Sequence, residues 1–278
     1  MTTILQISDT HLSPRNELFR ANLARIATWA EEARPDLIVV TGDLSLDGAD
    51  HDEDLGFAIE QLRALPAPVL SLPGNHDVGS HAATMPHQPV NADRLARFRR
   101  IVGPDRWIRD LPGWRLIGLN TEIMGTGVPD EAEQAAFAAD AAASAAGSRI
   151  ALFLHKPAFV TAPEDPRFDY WSVPPHARDA LAPILDHPAL RLVASGHLHL
   201  HHTQLRDGVR FAWAPAMSFV VEPEEQPCLP GARLCGALVH RLGSDHVETD
   251  LIAPPRMDVP WLEAIRTHTY PRQSSAAA

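Results

Sequence analysis

The sequence predicts an α/β chain folded as a layered sandwich, on three observations. Short aliphatic runs of four or five residues recur through the first two hundred positions, with the composition of strands buried on both faces. Helical patterns lie between these runs. After residue 200 the pattern changes to alternating segments joined at turn residues.

The runs are Ile4–Ile7, Leu37–Thr41, Val69–Leu72, Leu116–Leu119, Ile150–Leu154 and Leu192–Ser195. Between the first two, Leu18–Ala33 repeats apolar residues at Leu23, Ile26, Ala27 and Ala30 and stops before Pro35. Leu55–Leu65 puts Leu55, Ile59 and Leu62 on one face, and Asp93–Val102 does so with Leu95, Phe98, Ile101 and Val102. Asp130–Ala146 is alanine-rich, which favours a surface helix with a narrow buried stripe. Gln204–Arg210 holds Asp207-Gly208, a hairpin signal, and Ala237–Ile252 alternates as a strand pair around Gly243. From Pro254 a Pro-rich arm carries Trp261 and Ile265 and ends in Gln273–Ala278, expected to be mobile. The expected division is a domain over 1–253 and an arm over 254–278.

Composition narrows the function. The 278 residues are 45% hydrophobic and 21% charged, as in a folded protein. A net charge of −11 argues against gripping long nucleic acid by its phosphates. It leaves small anionic substrates open, because a bound metal reverses the local field. No run is long enough for a membrane helix, and Met1–Gln6 is too short for a signal peptide. With only Cys228 and Cys235, both expected as free thiols, a cytoplasmic protein is expected. Fifteen histidines with so little cysteine imply that any metal here has nitrogen and oxygen ligands.

Chemistry-bearing residues follow five of the six runs. They are Asp9-Thr10-His11, Gly42-Asp43, Gly74-Asn75-His76-Asp77, His155 and Gly196-His197-Leu198-His199. Open α/β sheets bind ligands beyond the carboxyl ends of their strands, so these groups can meet in one cleft. Asp9/His11 and His197/His199 are i,i+2 pairs, which extended backbone points the same way. Glycines 42, 74 and 196 remove side chains where the chain turns beside a metal. Mixed Asp and His donors suit Mn, Fe, Co, Ni or Zn better than Mg or Ca. Seven candidate ligands among these residues exceed the needs of one ion and fill two that share a carboxylate, an arrangement common in phosphoester hydrolysis.

In this order, D-x-H, G-D, G-N-H-D, H and G-H-x-H, the blocks resemble the calcineurin-like metallophosphoesterases, from Asp9 to His199. The resemblance implies a four-layer α-β-β-α sandwich of two mixed sheets flanked by helices, with a dinuclear metal site at the strand C-terminal ends. It implies that Asp9, His11 and His199 hold one metal, that Asn75, His155 and His197 hold the second, and that Asp43 bridges them. His76 would contact the phosphate or the leaving oxygen, and Asp77 would orient His76. The cofactors implied are two ions among Mn, Fe, Zn and Co, with Mn and Fe favoured. Two cations neutralise a phosphodiester anion and supply a metal-bound hydroxide that attacks phosphorus in line.

Departures from the pattern narrow the branch. Leu44-Ser45-Leu46-Asp47-Gly48 stands where Ser/Thr protein phosphatases carry Asp-Arg-Gly, and no tyrosine lies near the second block as in purple acid phosphatases. The acidic balance lends no support to the repair nucleases, and no amphipathic insertion suits the lipid A pathway hydrolases. The blocks are most similar to bacterial class III cyclic-nucleotide phosphodiesterases and glycerophosphodiester hydrolases. The expected function is therefore hydrolysis of small phosphodiesters, with no membrane or long nucleic-acid partner and with a homodimer as in related enzymes. A phosphomonoesterase is the alternative, although the blocks supply no arginine for the extra charge. A non-catalytic interaction scaffold of the same fold is the alternative from another class, and the loss of Asp43, Asn75 or His76 would have favoured it. Around the site, Phe168, Tyr170 and Trp171 are candidates for stacking, Asn120 and His201 for substrate contact, and Lys156 for a structural role; His81 and His87 are expected to be solvated.

Overall fold

The computed structural model describes residues 1–269, so the expectation for Gln273–Ala278 lies outside the described residues. Two mixed sheets pack face to face. The first has the order β11-β10-β1-β2-β3, from β1 (Thr2–Ile7), β2 (Leu37–Thr41), β3 (Val69–Leu72), β10 (Ala237–Leu242) and β11 (Val247–Ile252). The second has the order β4-β5-β6-β7-β9-β8. Its strands are β4 (Trp107–Leu111), β5 (Trp114–Gly118), β6 (Arg149–Phe153), β7 (Leu190–Ser195), β8 (His202–Arg206) and β9 (Val209–Trp213). In the first sheet the parallel run β1-β2-β3 ends at the edge strand β3 and is extended on the β1 side by the antiparallel pairings of β10 and β11. In the second the parallel run β5-β6-β7-β9 is flanked on both sides by the antiparallel strands β4 and β8.

Side-chain alternation sorts the strands into three cores and so builds four layers. On β1 and β2, Leu5, Ile7, Ile38 and Val40 pack with Leu23 and Ile26 of α1 (Arg20–Ala33), Leu55 and Ile59 of α2 (Asp52–Arg63) and Val78 of the one-turn α3 (Asn75–Val78). Leu95 and Phe98 of α4 (Ala92–Ile101) complete that core. The alternate residues Ile4, Leu37 and Val39 face Leu116, Ala151, Phe153 and Leu192 in the core between the sheets. The outer face of the second sheet, with Ile150, Leu152 and Leu154, meets Ala138, Ala141 and Ala142 of α5 (Pro129–Ala143) and Ile184 of α6 (Ala182–Leu185). The alanine stripe of α5 is the narrow buried one its sequence predicts.

The one-turn helices α3 and α6, the strand β4 and the helix α7 were not predicted. Strand β4 is an edge strand whose middle residues are exposed, so it lacks the aliphatic run of its neighbours. Within the C-terminal arm, Leu262–Thr269 forms α7, and its Leu262 and Ile265 pack with Phe19, Phe219 and Val221. Cys228 and Cys235 are unpaired. Among the described residues no helix is long and apolar enough to cross a membrane.

Candidate metal centre

The ends of β1, β2, β3, β6 and β7 open into one buried cluster. Asp9, His11, Asp43, Asn75, His76, Asp77, His155, His197 and His199 are all at most 5% exposed. Asp9, His11, Asp43 and Asn75 hang from the first sheet, while His155, His197 and His199 hang from the second.

Extended backbone is not what makes the i,i+2 pairs converge. Asp9, His11, Asp43, His197 and His199 all have φ between +45° and +67°, the left-handed region that non-glycine residues occupy only where the surroundings enforce it. The backbone N–H groups of Asp9 and His11 donate to the carbonyls of Gly42 and Asp43 at 3.0 Å, which locks the first two loops together. Gly42 has φ +91°, and a Cβ there would sit 2.2 Å from His155 Nδ1. At Gly74 a Cβ would sit 2.2 Å from Asp43 Oδ1. Both glycines let one ligand loop approach another.

Carbonyl oxygens fix the ring orientations. His155 Nδ1 donates to Thr41 O at 2.7 Å, and His199 Nδ1 donates to Phe219 O at 2.8 Å. Each ring therefore turns its Nε2 into the cluster. His197 is reversed, since its Nε2 donates to Tyr170 O at 2.9 Å and leaves Nδ1 as the acceptor nitrogen. His199 Nε2 lies 3.4 Å from both Asp9 Oδ1 and His11 Nε2, and His11 Nε2 lies 3.7 Å from Asp43 Oδ2. On the other side of Asp43, His155 Nε2 lies 3.5 Å from Oδ2 and 3.2 Å from Asn75 Oδ1.

Ligand atoms of Asp9, His11 and His199 lie within 4.8 Å of one another, as do those of Asp43, His155 and His197. His11, Asp43 and His76 form a third such group. Asp9 Oδ1 is buried with no hydrogen-bond partner. Lone pairs turned toward one another in a dry site repel unless a cation lies between them. Burial, with the Asp9 and Asp77 carboxylates adding to it, pushes the Asp43 carboxyl well above its usual range, a penalty that divalent charge reverses. Burial likewise pulls the His11 and His197 imidazoles well below theirs, which keeps them neutral as ligation requires. The residues fit a metal pair.

His76 and Asp77 depart from the expected pairing. The Asp77 carboxylate accepts from Leu44 N, Ser45 N and Gly74 N at 3.0 Å and from Ser45 Oγ at 2.6 Å. It ties the second and third loops together and does not orient His76. That ring is held by Leu46, whose carbonyl accepts from Nδ1 at 2.7 Å, and the His76 backbone N–H donates to Asp43 Oδ1 at 2.8 Å. Burial lowers the His76 imidazole to about 4.

A cleft of about 660 Å³ opens beside His76, lined in part by Arg15, Asp47, Gln88 and, from α7, Thr267 to Thr269. Arg15 and the arm were not anticipated. Arg15 follows the first block closely, so proximity to His11 was the available signal, whereas nothing local in the arm marked it. Asn120 is fully buried and its side chain bonds to Asp105 and to Glu122 N, which makes it structural rather than a substrate contact. His81 is not simply solvated, because its ring meets Phe168 at 5.0 Å.

The family profile for calcineurin-like phosphoesterases matches residues 2–201. The chain belongs to this family. The phosphoesterase is 33% identical over 138 residues to a probable cyclic nucleotide phosphodiesterase of Moraxella catarrhalis, a match covering 44% of this chain and 45% of that one. The chain thus spans less than half the length of that relative. It is 26% identical over 236 residues to another probable cyclic nucleotide phosphodiesterase, from Synechococcus, covering 81% of this chain and 84% of that one. The phosphoesterase fold superposes on a purple acid phosphatase from yellow lupin with TM-score 0.64 at 12% identity, covering 93% of this chain and 52% of that one. A dimetal phosphatase of Danio rerio gives 0.55 at 14% identity, covering 91% and 99%. Both likenesses are likenesses of fold.

Proposed function

We propose that this phosphoesterase is a two-metal phosphodiesterase acting on small phosphodiesters of the cyclic-nucleotide or glycerophosphodiester type. The observation that carries the reading is the pair of donor groups on either side of Asp43, backed by the two relatives named as probable cyclic nucleotide phosphodiesterases. Asp9, His11 and His199 would hold one ion, Asn75, His155 and His197 the other, and Asp43 both. Mn and Fe suit this oxygen and imidazole set. Such a pair supplies positive charge at the phosphoryl oxygens and a nucleophile at neutral pH.

The rest is the work of the chain. Thr41, Tyr170 and Phe219 carbonyls fix the tautomers that ligation needs. His76 carries its proton on Nδ1 toward Leu46 O, so Nε2 is its proton-accepting atom. An imidazole lowered to about 4 enters the reaction neutral. It accepts a proton at Nε2 during attack and passes it to the departing alkoxide. The cleft beside His76 receives the leaving alcohol.

The test is the initial rate on a bis-aryl phosphodiester and on the matching aryl monoester, after chelation and after Mn(II) is restored, with Asp43→Asn as control. Mn-dependent diester turnover that exceeds monoester turnover and is lost in Asp43→Asn is the expected result. One observation favours a phosphomonoesterase as second reading: Arg15 lines the cleft with its side chain 44% exposed, although Asp54 already holds it. Preferred monoester turnover that falls in Arg15→Met would select that reading.

A further inference from the structure

Lys156 is the only lysine of the chain, and its side chain is 4% exposed. Its Nζ lies 3.2 Å from Glu122 Oε2, donates to Ser80 Oγ at 2.6 Å and stands 5.2 Å from the centre of the Tyr170 ring. Its backbone N–H donates to Thr121 Oγ1 at 3.0 Å. These partners sit on three separate loops. Ser80 lies just past α3, and Gly79 N, its neighbour, donates to Asn75 O at 2.9 Å. Glu122 follows β5. Tyr170 offers the carbonyl that holds His197.

A buried ion pair is a poor source of stability, since apolar residues of equal volume serve as well or better. What a buried ammonium adds is direction, with three donors and a cation that a ring face attracts. We propose that Lys156 is a positioning residue for the second metal site, drawing the Asn75 loop through Ser80 and the His197 loop through Tyr170 to the spacing that site needs. This rests on the ligand set proposed above. Asp9, His11 and His199 receive none of these contacts, so the effect is confined to one of the two ions.

The experiment measures Zn(II) stoichiometry and the two dissociation constants by chelator competition in wild type, Lys156→Met/Glu122→Gln and Lys156→Arg. Removing both charges leaves no orphaned carboxylate, so near-ultraviolet circular dichroism of the double variant checks that it folds. Wild type binds two equivalents. In the double variant one keeps its affinity and the other weakens about 10-fold or more, the usual effect of losing support behind a ligand. Lys156→Arg recovers part of the loss. Unchanged constants, or equal weakening of both sites, would overturn the inference while leaving the ligand set intact. Fewer than two equivalents in wild type would overturn the ligand set and the inference with it.

Discussion

Asp77→Asn separates two roles for a residue that the motif places next to His76. In the structure each Asp77 oxygen accepts two donors, Oδ1 from Ser45 N and Ser45 Oγ and Oδ2 from Leu44 N and Gly74 N. An asparagine must turn an NH₂ toward one pair. Turned toward Ser45, it can donate to a rotated hydroxyl and orphans one backbone N–H; turned the other way, it orphans two. The milder choice loses one hydrogen bond to a charged acceptor, about 1.5–3 kcal/mol, and weakens the two that remain. Relief of carboxylate desolvation offsets part of this, which leaves roughly 3 kcal/mol. For a chain of this length the unfolding entropy near Tm is about 0.6 kcal/mol/K, so Tm falls by about 5 °C. The assay is thermal unfolding of chelated and Mn-loaded protein beside kcat/KM against pH. A Tm within about 1 °C of wild type, with a displaced acid limb in the rate profile, would refute this account and restore Asp77 as the partner of His76.

Gly74→Ala drives a Cβ to 2.2 Å from Asp43 Oδ1, so both metal sites weaken and activity falls at least about 100-fold; metal content after gel filtration reports it. His76→Asn keeps two equivalents of metal but lowers kcat/KM about 10²- to 10³-fold, as loss of a proton-transfer group should, and equal loss of metal would count against that role. His240 is buried between Gln6 and Thr249, and burial, then Arg210, lowers it to about 3. The folded state therefore refuses a proton that the unfolded state takes up below about 6.5. Its contribution is complete above that pH and is lost as pH falls toward 3, at up to about 1.4 kcal/mol per unit. His240→Gln should flatten urea-derived stability between pH 6 and 4 by nearly one proton, and an unchanged slope would contradict the burial argument.

The six aliphatic runs were legible because strands covered on both faces admit little else, and the blocks behind them announce their chemistry. Strand β4 was hidden by its exposure, and α7 by the prolines before it. Convergence of the ligand pairs was foreseen for the wrong reason. An i,i+2 spacing in extended backbone would align Asp9 with His11, yet both residues are left-handed, a state set by the Gly42–Asp43 loop bonded to them. Sequence spacing carries no trace of that loop. Nor does it carry the carbonyls of Thr41, Leu46, Tyr170 and Phe219, because every residue has one and only the fold decides which faces an imidazole. The same holds for Lys156, whose structural role was expected from the sequence while the loops it joins were not.

The proposed ligands come from both sheets, and the two sheets otherwise meet mainly through apolar side chains and a few struts such as Gln6, which bonds to Thr41, Ser195 and His240. Ions seated there would rivet one end of the sandwich shut. Metal supply would then govern how long the protein survives proteolysis as well as how fast it turns over. Loss of metal would let the rivets go and leave the opened seam to proteolysis.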